Sequence, residues 1–260
     1  MFILTLVTAT CSFEINEKTR EILKLATQQF NENVRLQERV PSPEIRHPDC
    51  EPTLSSQIAW QSYLQYPFIL WDPLTQFPHL FDTRPLLCPT CHEDIEETGR
   101  KTTSYLSRTN HWFNGRLKRY SPRLLYHTNS CILLVSCVYR CCKAHDISSC
   151  HPSVLSSFPS SFIMQIPFRL FHKSGFTTDA LYLVQKLVDE GLAFDQIERL
   201  LELQYRDFFS SMECKFWFDY RLKNPERDQE NANQLRFPSF SKSIYPHPSN
   251  DLLIDRKSVV

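Results

Sequence analysis

The stretch "CILLVSCVYRC", residues 131–141, is the part of the sequence that most strongly indicates the fold. Its isoleucine, leucine, valine and tyrosine residues are typical of an extended, largely buried strand. The stretch ends in a cysteine, and "CKAH", residues 142–145, follows at once. We therefore expect a strand whose end presents sulfur and imidazole groups that can bind a metal.

A second segment ends in the same way. The segment "RPLLCPTC", residues 84–91, is typical of a short strand that runs into a cysteine knuckle. A structural zinc site is a closed tetrahedron of cysteine and histidine ligands, and two strand ends with a pair of ligands each can complete it. The predicted zinc ligands are Cys88, Cys91, Cys141 and His145, with Cys142 as the alternative to Cys141.

The cysteine knuckle has other known uses. With His92 behind it, the pair matches the C-x-x-C-H motif of covalent haem attachment, which requires export and usually a second axial ligand. A thioredoxin-like redox pair requires a βαβ pattern, which the surrounding sequence lacks. A catalytic zinc requires an open coordination position and a nearby base, whereas Glu93 and Asp94 are typical of a solvated helix start. We therefore favour structural zinc and expect no enzymatic activity.

The composition is that of a globular protein. Of the 260 residues, 42% are hydrophobic, and 29 basic residues balance 29 acidic ones, so no net charge attracts nucleic acid. Only 4 glycines against 17 prolines disfavours glycine-rich phosphate-binding folds. The 10 cysteines fit metal ligands and buried thiols in a reducing compartment, or a disulfide framework if the protein were exported.

The sequence divides into four predicted regions. They are an N-terminal helix with a proline-rich linker (1–59), a zinc-binding β unit (60–165), a helical hairpin (166–224) and a polar tail that we expect to be disordered (225–260). In the hairpin, Thr177 or Thr178 is the candidate helix cap, and Gly191 suits the end of the first helix. A DNA-binding helix-turn-helix is less favoured because the pair is rich in acidic residues.

A basic and aromatic segment lies inside the β unit. No acidic residue occurs between Glu97 and Asp146, and cations beside stacking rings are what a nucleic-acid surface requires. The other interpretation is that the rings pack on the sheet while the cations are solvated. The candidate nucleic-acid-binding residues are Arg108, Trp112, Arg116, Lys118, Arg119 and Arg123.

The series "YPFILWDP", "LLCPTC", "HWFNGR" and "LLVSCVYRC" resembles an uncharacterised domain-of-unknown-function family of eukaryotic, often transposon-associated proteins. The resemblance covers about residues 60–210. It implies no established enzymatic activity and suggests an accessory DNA-handling or protein-docking module. The residues that carry it are Cys88 and Cys91, Trp112 and Arg116, and Tyr139 and Cys141.

These observations predict an α+β fold, with a zinc-ribbon-like antiparallel β unit followed by a helical hairpin. The predicted function is a non-enzymatic, zinc-binding module of a transposon-derived or uncharacterised eukaryotic protein. It would bind nucleic acid, with DNA favoured, in the nucleus and without a membrane. The alternative function is a zinc-stabilised protein-interaction module that has no nucleic-acid role and uses the aromatic segments around Trp60 and Trp71. The alternative location is the cytoplasm.

Overall fold

The structure is a computed structural model that describes residues 17–36, 42–47, 63–64, 66–82, 85–91, 94–95, 101–102, 104–109, 112, 122–171, 174–223, 237–241, 245–246 and 248. In this part the fold is α+β, as the sequence predicts. The helices are α1 (Glu17–Arg35), α2 (Pro73–Gln76), α3 (Pro152–Leu155), α4 (Ser160–Ile163), α5 (Thr178–Asp189) and α6 (Phe194–Lys223). The strands are β1 (Phe68–Trp71), β2 (Asp94–Ile95), β3 (Lys101–Thr102), β4 (Ser107–Arg108), β5 (Arg123–Tyr126), β6 (Cys131–Ser136), β7 (Val138–Arg140), β8 (Asp146–Ser148), β9 (Phe168–Leu170) and β10 (Ser174–Thr177).

The main sheet has five strands in the order β1-β6-β5-β10-β9. The pairs β1–β6 and β5–β10 are parallel, while β5–β6 and β9–β10 are antiparallel. The sequence predicted an antiparallel β unit, but the main sheet of the described residues is mixed. Parallel neighbours require long connections, and those between β1 and β6 and between β5 and β10 carry the cysteine knuckle and the second sheet.

The second sheet is small and antiparallel, with the order β4-β7-β8. The long strand predicted at 131–141 supplies one strand to the main sheet and one to this small sheet, because the chain leaves β6 at Cys137 and continues as β7. The Cys137 N–H donates to the Trp71 carbonyl at 3.1 Å, and the Cys137 carbonyl accepts from the Ser149 N–H at 2.8 Å. These two bonds fix the place where the chain passes from the main sheet to the small one.

A buried aromatic core lies against the main sheet. Trp71 is 0% exposed, its ring meets Phe168 edge to face at 5.1 Å, and its indole N–H donates to the Ser149 carbonyl at 3.2 Å. Every residue of β6 is buried. Full burial of one large apolar side chain stabilises a fold by about 1.5–3 kcal/mol, so this core can hold the main sheet together.

Helix α6 covers the core with one face. The buried residues on that face are Ile197, Leu201, Tyr205, Phe209, Phe216 and Tyr220, at mostly helical spacing. The Tyr205 hydroxyl reaches the carbonyls of His127 (2.8 Å) and Ser130 (2.7 Å), which ties the helix to the β5–β6 turn. Gly191, with φ 87°, forms the turn between α5 and α6, as the sequence predicts.

Three features of the structure bear on the predicted division of the chain. The predicted N-terminal helix is present as α1, and Leu23 and Phe30 join the core. The boundary predicted at 165/166 falls within one sheet, because β10 pairs with β5. In the tail predicted to be disordered, Phe237 and Tyr245 are buried, since these rings pack on Phe209 of α6.

Among the helices of the described ranges, we find none with both the length and the apolar character that a membrane crossing requires.

Candidate metal centre

The first half of the candidate site is a turn at the end of a short backbone ladder. The Cys88 N–H donates to the Ser104 carbonyl, and the Leu106 N–H donates to the Leu86 carbonyl, both at 2.9 Å. This ladder aligns the chain, and the turn at Pro89 and Thr90 brings Cys91 back beside Cys88. Both cysteine side chains therefore lie on the inner side of the turn, with residue exposures of 0% and 4%.

The second half is the tip of the β7–β8 hairpin. Arg140 of β7 pairs with Asp146 of β8, so the loop between them places Cys141 and His145 opposite each other. The Cys141 N–H donates to the His145 carbonyl at 3.2 Å, and the Ala144 N–H donates to the Cys141 carbonyl at 3.0 Å. Ala144 has φ 61°, which lets the chain reverse within this short loop.

The four predicted ligands lie together. One ligand atom from each of Cys88, Cys91, Cys141 and His145 falls within 4.8 Å of all the others. The sulfurs of Cys91 and Cys141 are 3.7 Å apart, which exceeds the disulfide bond length of about 2.05 Å. The His145 Nδ1 atom is 3.8 Å from the Cys88 sulfur and 3.5 Å from the Cys141 sulfur.

Three of the six separations between ligand atoms match those of a tetrahedral zinc site. With Zn–S bonds of about 2.3 Å and Zn–N bonds of about 2.0–2.1 Å, tetrahedral angles place two sulfurs about 3.8 Å apart and a sulfur and nitrogen about 3.6 Å apart. The distances of 3.7, 3.8 and 3.5 Å agree with those values. The cluster is therefore able to hold a metal ion without a large rearrangement.

The protonation of the cysteines depends on their close contacts. Burial raises the pKa of the Cys88 thiol, but hydrogen bonds that include the backbone N–H groups of Thr90 and Cys91 outweigh it and lower that pKa overall. The Ser104 hydroxyl lowers the pKa of Cys91, whereas burial and the Cys88 and Cys141 side chains raise it to about 11. A cation among the sulfurs would stabilise all three thiolates at once.

Other candidate ligands have different positions. The Cys142 side chain is exposed, and its sulfur lies 3.4 Å from the Ser104 hydroxyl. Cys150 is buried, and burial raises the pKa of its thiol to about 12. The His151 Nδ1 atom accepts from the Ser153 N–H at 3.2 Å and so caps α3. His92 and Glu93 lie outside the described residues.

Of the six predicted nucleic-acid-binding residues, the structure describes three, and these three are buried or partly buried. Arg108 forms an ion pair with Asp72, and Trp112 is 3% exposed, with its ring edge-to-face on Phe30. Arg123 is partly buried, with a guanidinium N–H directed at the Phe171 carbonyl at 3.5 Å. Arg116, Lys118 and Arg119 lie outside the described residues, so a nucleic-acid role for this segment stays a prediction.

A buried polar network near the site has no counterpart in the sequence analysis. Asp72 is 0% exposed and accepts from the Tyr139 hydroxyl at 2.8 Å and the Thr75 hydroxyl at 2.9 Å, besides its ion pair with Arg108. Asp72 directly follows the apolar strand "FILW", and this position in the sequence could have indicated a buried ion pair. An acidic residue at the end of a buried strand requires a buried partner.

The chain was compared with protein-family models, with curated proteins and with solved structures, and none of these comparisons gave a match.

Proposed function

We propose that Cys88, Cys91, Cys141 and His145 bind one structural zinc ion. The observation that carries the proposal is that both strand ends direct their ligand atoms to one point, all within 4.8 Å. A set of three sulfurs and one imidazole suits zinc, whereas magnesium, calcium and manganese favour oxygen ligands. Elemental analysis of the purified protein should find about one zinc per chain.

We infer a structural role because the ligand set is complete. Four protein ligands close a tetrahedral site, whereas a hydrolytic zinc keeps one position open for water. Cys88, Cys91 and Cys141 are buried, which limits the access of a substrate to the centre. The proposed role is therefore non-enzymatic: the zinc ion would link the cysteine knuckle to the β7–β8 hairpin.

Two cysteine variants test the site. In Cys88→Ser the ligand set loses one sulfur, and we expect zinc content to fall well below that of the wild type. The matched control is Cys214→Ser, because Cys214 is an exposed free cysteine on α6, outside the ligand cluster. Equal zinc content in both variants, or a metal-free wild type, would remove the basis of the proposal.

The backbone ladder, the cysteine knuckle and the β7–β8 hairpin with its two candidate ligands together support a zinc-ribbon-like unit, and α5 with α6 supports a helical hairpin behind it. On the strength of the sequence resemblance, we propose that the chain belongs to the uncharacterised, transposon-associated family described above. The Cys-Pro-x-Cys pair and the Tyr-x-Cys motif of that resemblance provide three of the four proposed zinc ligands. A nuclear location belongs to the same proposal.

Nucleic-acid binding is the leading proposed activity, with DNA favoured. Its support is the basic segment that has no acidic residue between Glu97 and Asp146. Phosphate contacts predict an affinity that falls steeply as salt concentration rises, because bound counterions are released. Replacing Arg116, Lys118 and Arg119 together by Ala should weaken DNA binding and reduce that salt dependence. An unchanged affinity in the zinc-loaded triple variant would contradict this proposal.

One structural feature favours the alternative, a protein-interaction module in the nucleus or cytoplasm. Phe218 and Leu222 on α6 are 64% and 65% exposed, although they are large apolar side chains. The Trp71 segment does not provide such a surface, because Trp71 is buried in the core, and Trp60 lies outside the described residues. Apolar docking predicts binding that changes little with salt, so a titration at two ionic strengths separates the two activities.

A further inference from the structure

Helix α1 is attached to the rest of the protein by a polar latch around Asn31. The Asn31 side-chain oxygen accepts from the Arg108 guanidinium at 2.6 Å and from the Trp112 indole N–H at 3.0 Å. Beside it, the Phe30 ring meets Trp112 edge to face at 4.8 Å, with the Arg108 guanidinium 5.8 Å from the centre of the Phe30 ring. The C-terminal half of α1 therefore depends on the exact positions of Arg108 and Trp112.

Arg108 is itself held from the other side. Its guanidinium pairs with the buried Asp72 carboxylate, and Asp72 also accepts from the Tyr139 hydroxyl at 2.8 Å. Arg108 of β4 lies directly opposite Tyr139 of β7 in the small sheet. The latch thus joins α1, the end of β1 and two neighbouring strands through one buried ion pair.

The same two strands lead into the metal centre. Arg140 and then the ligand Cys141 follow Tyr139 along the chain. On the other strand, the Ser104 carbonyl accepts from the ligand Cys88, and Leu106 extends the same ladder toward Arg108. A shift in the knuckle or in the hairpin tip would therefore move Arg108 and Tyr139 against Asp72.

We propose that the metal centre controls the docking of α1, an inference that rests on the proposed zinc site. The small sheet has strands of two and three residues, shorter than the typical length of about five or six, so few backbone hydrogen bonds hold its register and a metal cross-link would add to them. Without the metal, β4 and β7 loosen, Arg108 leaves Asn31, and α1 detaches. The main sheet persists, because its bonds do not pass through the latch.

Hydrogen exchange on the full chain tests this order of events. We expect that removal of zinc by a chelator accelerates amide exchange in α1 and β4 at least tenfold, while amides of β6 keep their protection. The result that would overturn the inference is a chain that binds and releases zinc while α1 exchanges at the same rate in both states. A chain that never binds zinc would instead overturn the proposed function itself, and the inference with it.

Thermodynamic linkage gives a second, independent measurement. If zinc favours the docked helix, the docked helix must favour zinc by the same factor, so breaking the latch lowers zinc affinity. Asn31→Ala should weaken zinc binding by about tenfold, within the range typical of coupled sites. Gln29→Ala is the matched control, because Gln29 is an exposed residue on the same helix. Chelator competition measures the zinc affinity of both folded variants. Equal affinities would contradict the coupling, while the proposed zinc site itself would stand.

Discussion

The main sheet and the cysteine cluster differ in what holds them together. The main sheet has five strands, including the wholly buried β6, and it contributes large buried rings such as Trp71 and Phe176 to the core. The cluster region has strands of two or three residues, and Cys88, Cys91 and Cys141 are among its buried residues. Apolar burial can hold the first region together, a metal cross-link is what we propose for the second, and the ion pair between Asp72 and Arg108 joins the two.

The largest effect is expected in the main sheet. Trp71→Ala removes a side chain that is 0% exposed and contacts Phe168 and Phe158, so it should lower the free energy of unfolding by about 3–5 kcal/mol. Denaturant titration measures the change. Tyr182→Ala, at a position that is 74% exposed, is the control and should stay within about 0.5 kcal/mol of wild type. Similar losses in both variants would contradict a core centred on Trp71.

The junction of the two regions comes next. Arg108→Ala leaves the buried Asp72 carboxylate without its cation, and breaking such a pair costs about 3 kcal/mol of stability. The control is the ion pair between Arg140 and Asp146, because these side chains are 48% and 30% exposed. Arg140→Ala should cost less than about 1 kcal/mol. Urea titrations that gave the opposite order would show that Asp72 is not the junction.

A smaller effect is expected at the start of α5. The Thr177 hydroxyl accepts from the Ala180 N–H at 3.3 Å and contacts the His127 ring at 2.8 Å. Thr177→Ala removes this cap and should cost about 1 kcal/mol, measured by thermal denaturation. Thr178→Ala is the matched control, because the structure assigns the cap to Thr177. The cap assignment would fail if Thr178→Ala were the more destabilising change.

The smallest effect is expected beside the cluster. Cys142→Ser should leave zinc affinity unchanged, because the Cys142 side chain is exposed and contacts Ser104. Cys141→Ser, one position earlier, removes a sulfur that lies 3.5 Å from His145 Nδ1 and should abolish tight binding. Chelator competition measures both affinities. A loss in Cys142→Ser alone would assign the ligand to Cys142.

Local patterns in the sequence predicted the candidate site well. The two ligand pairs, Cys88 with Cys91 and Cys141 with His145, each follow a strand signal, and such signals depend on neighbouring residues that the sequence displays directly. The same is true of Gly191, whose turn needs a left-handed residue. The structure brings Cys88, Cys91, Cys141 and His145 together as the sequence suggested, and it separates Cys142 from them.

Pairing between distant segments was much harder to predict. Nothing local marks β1 as the parallel neighbour of β6, or Cys137 as the point where one predicted strand becomes two. The burial of Phe237 and Tyr245 was not predicted, because the mean composition of the tail is polar and single aromatic residues change that mean little. Asn31, Asp72 and Arg108 meet only after folding, so the latch could not be predicted from spacing.

X-ray absorption at the zinc edge of the purified protein tests the central claim most directly. The account predicts a first coordination shell of three sulfurs at about 2.3 Å and one nitrogen at about 2.0–2.1 Å. That shell corresponds to Cys88, Cys91, Cys141 and His145. A shell of nitrogen and oxygen atoms alone, or one with fewer than three sulfurs, would contradict the account.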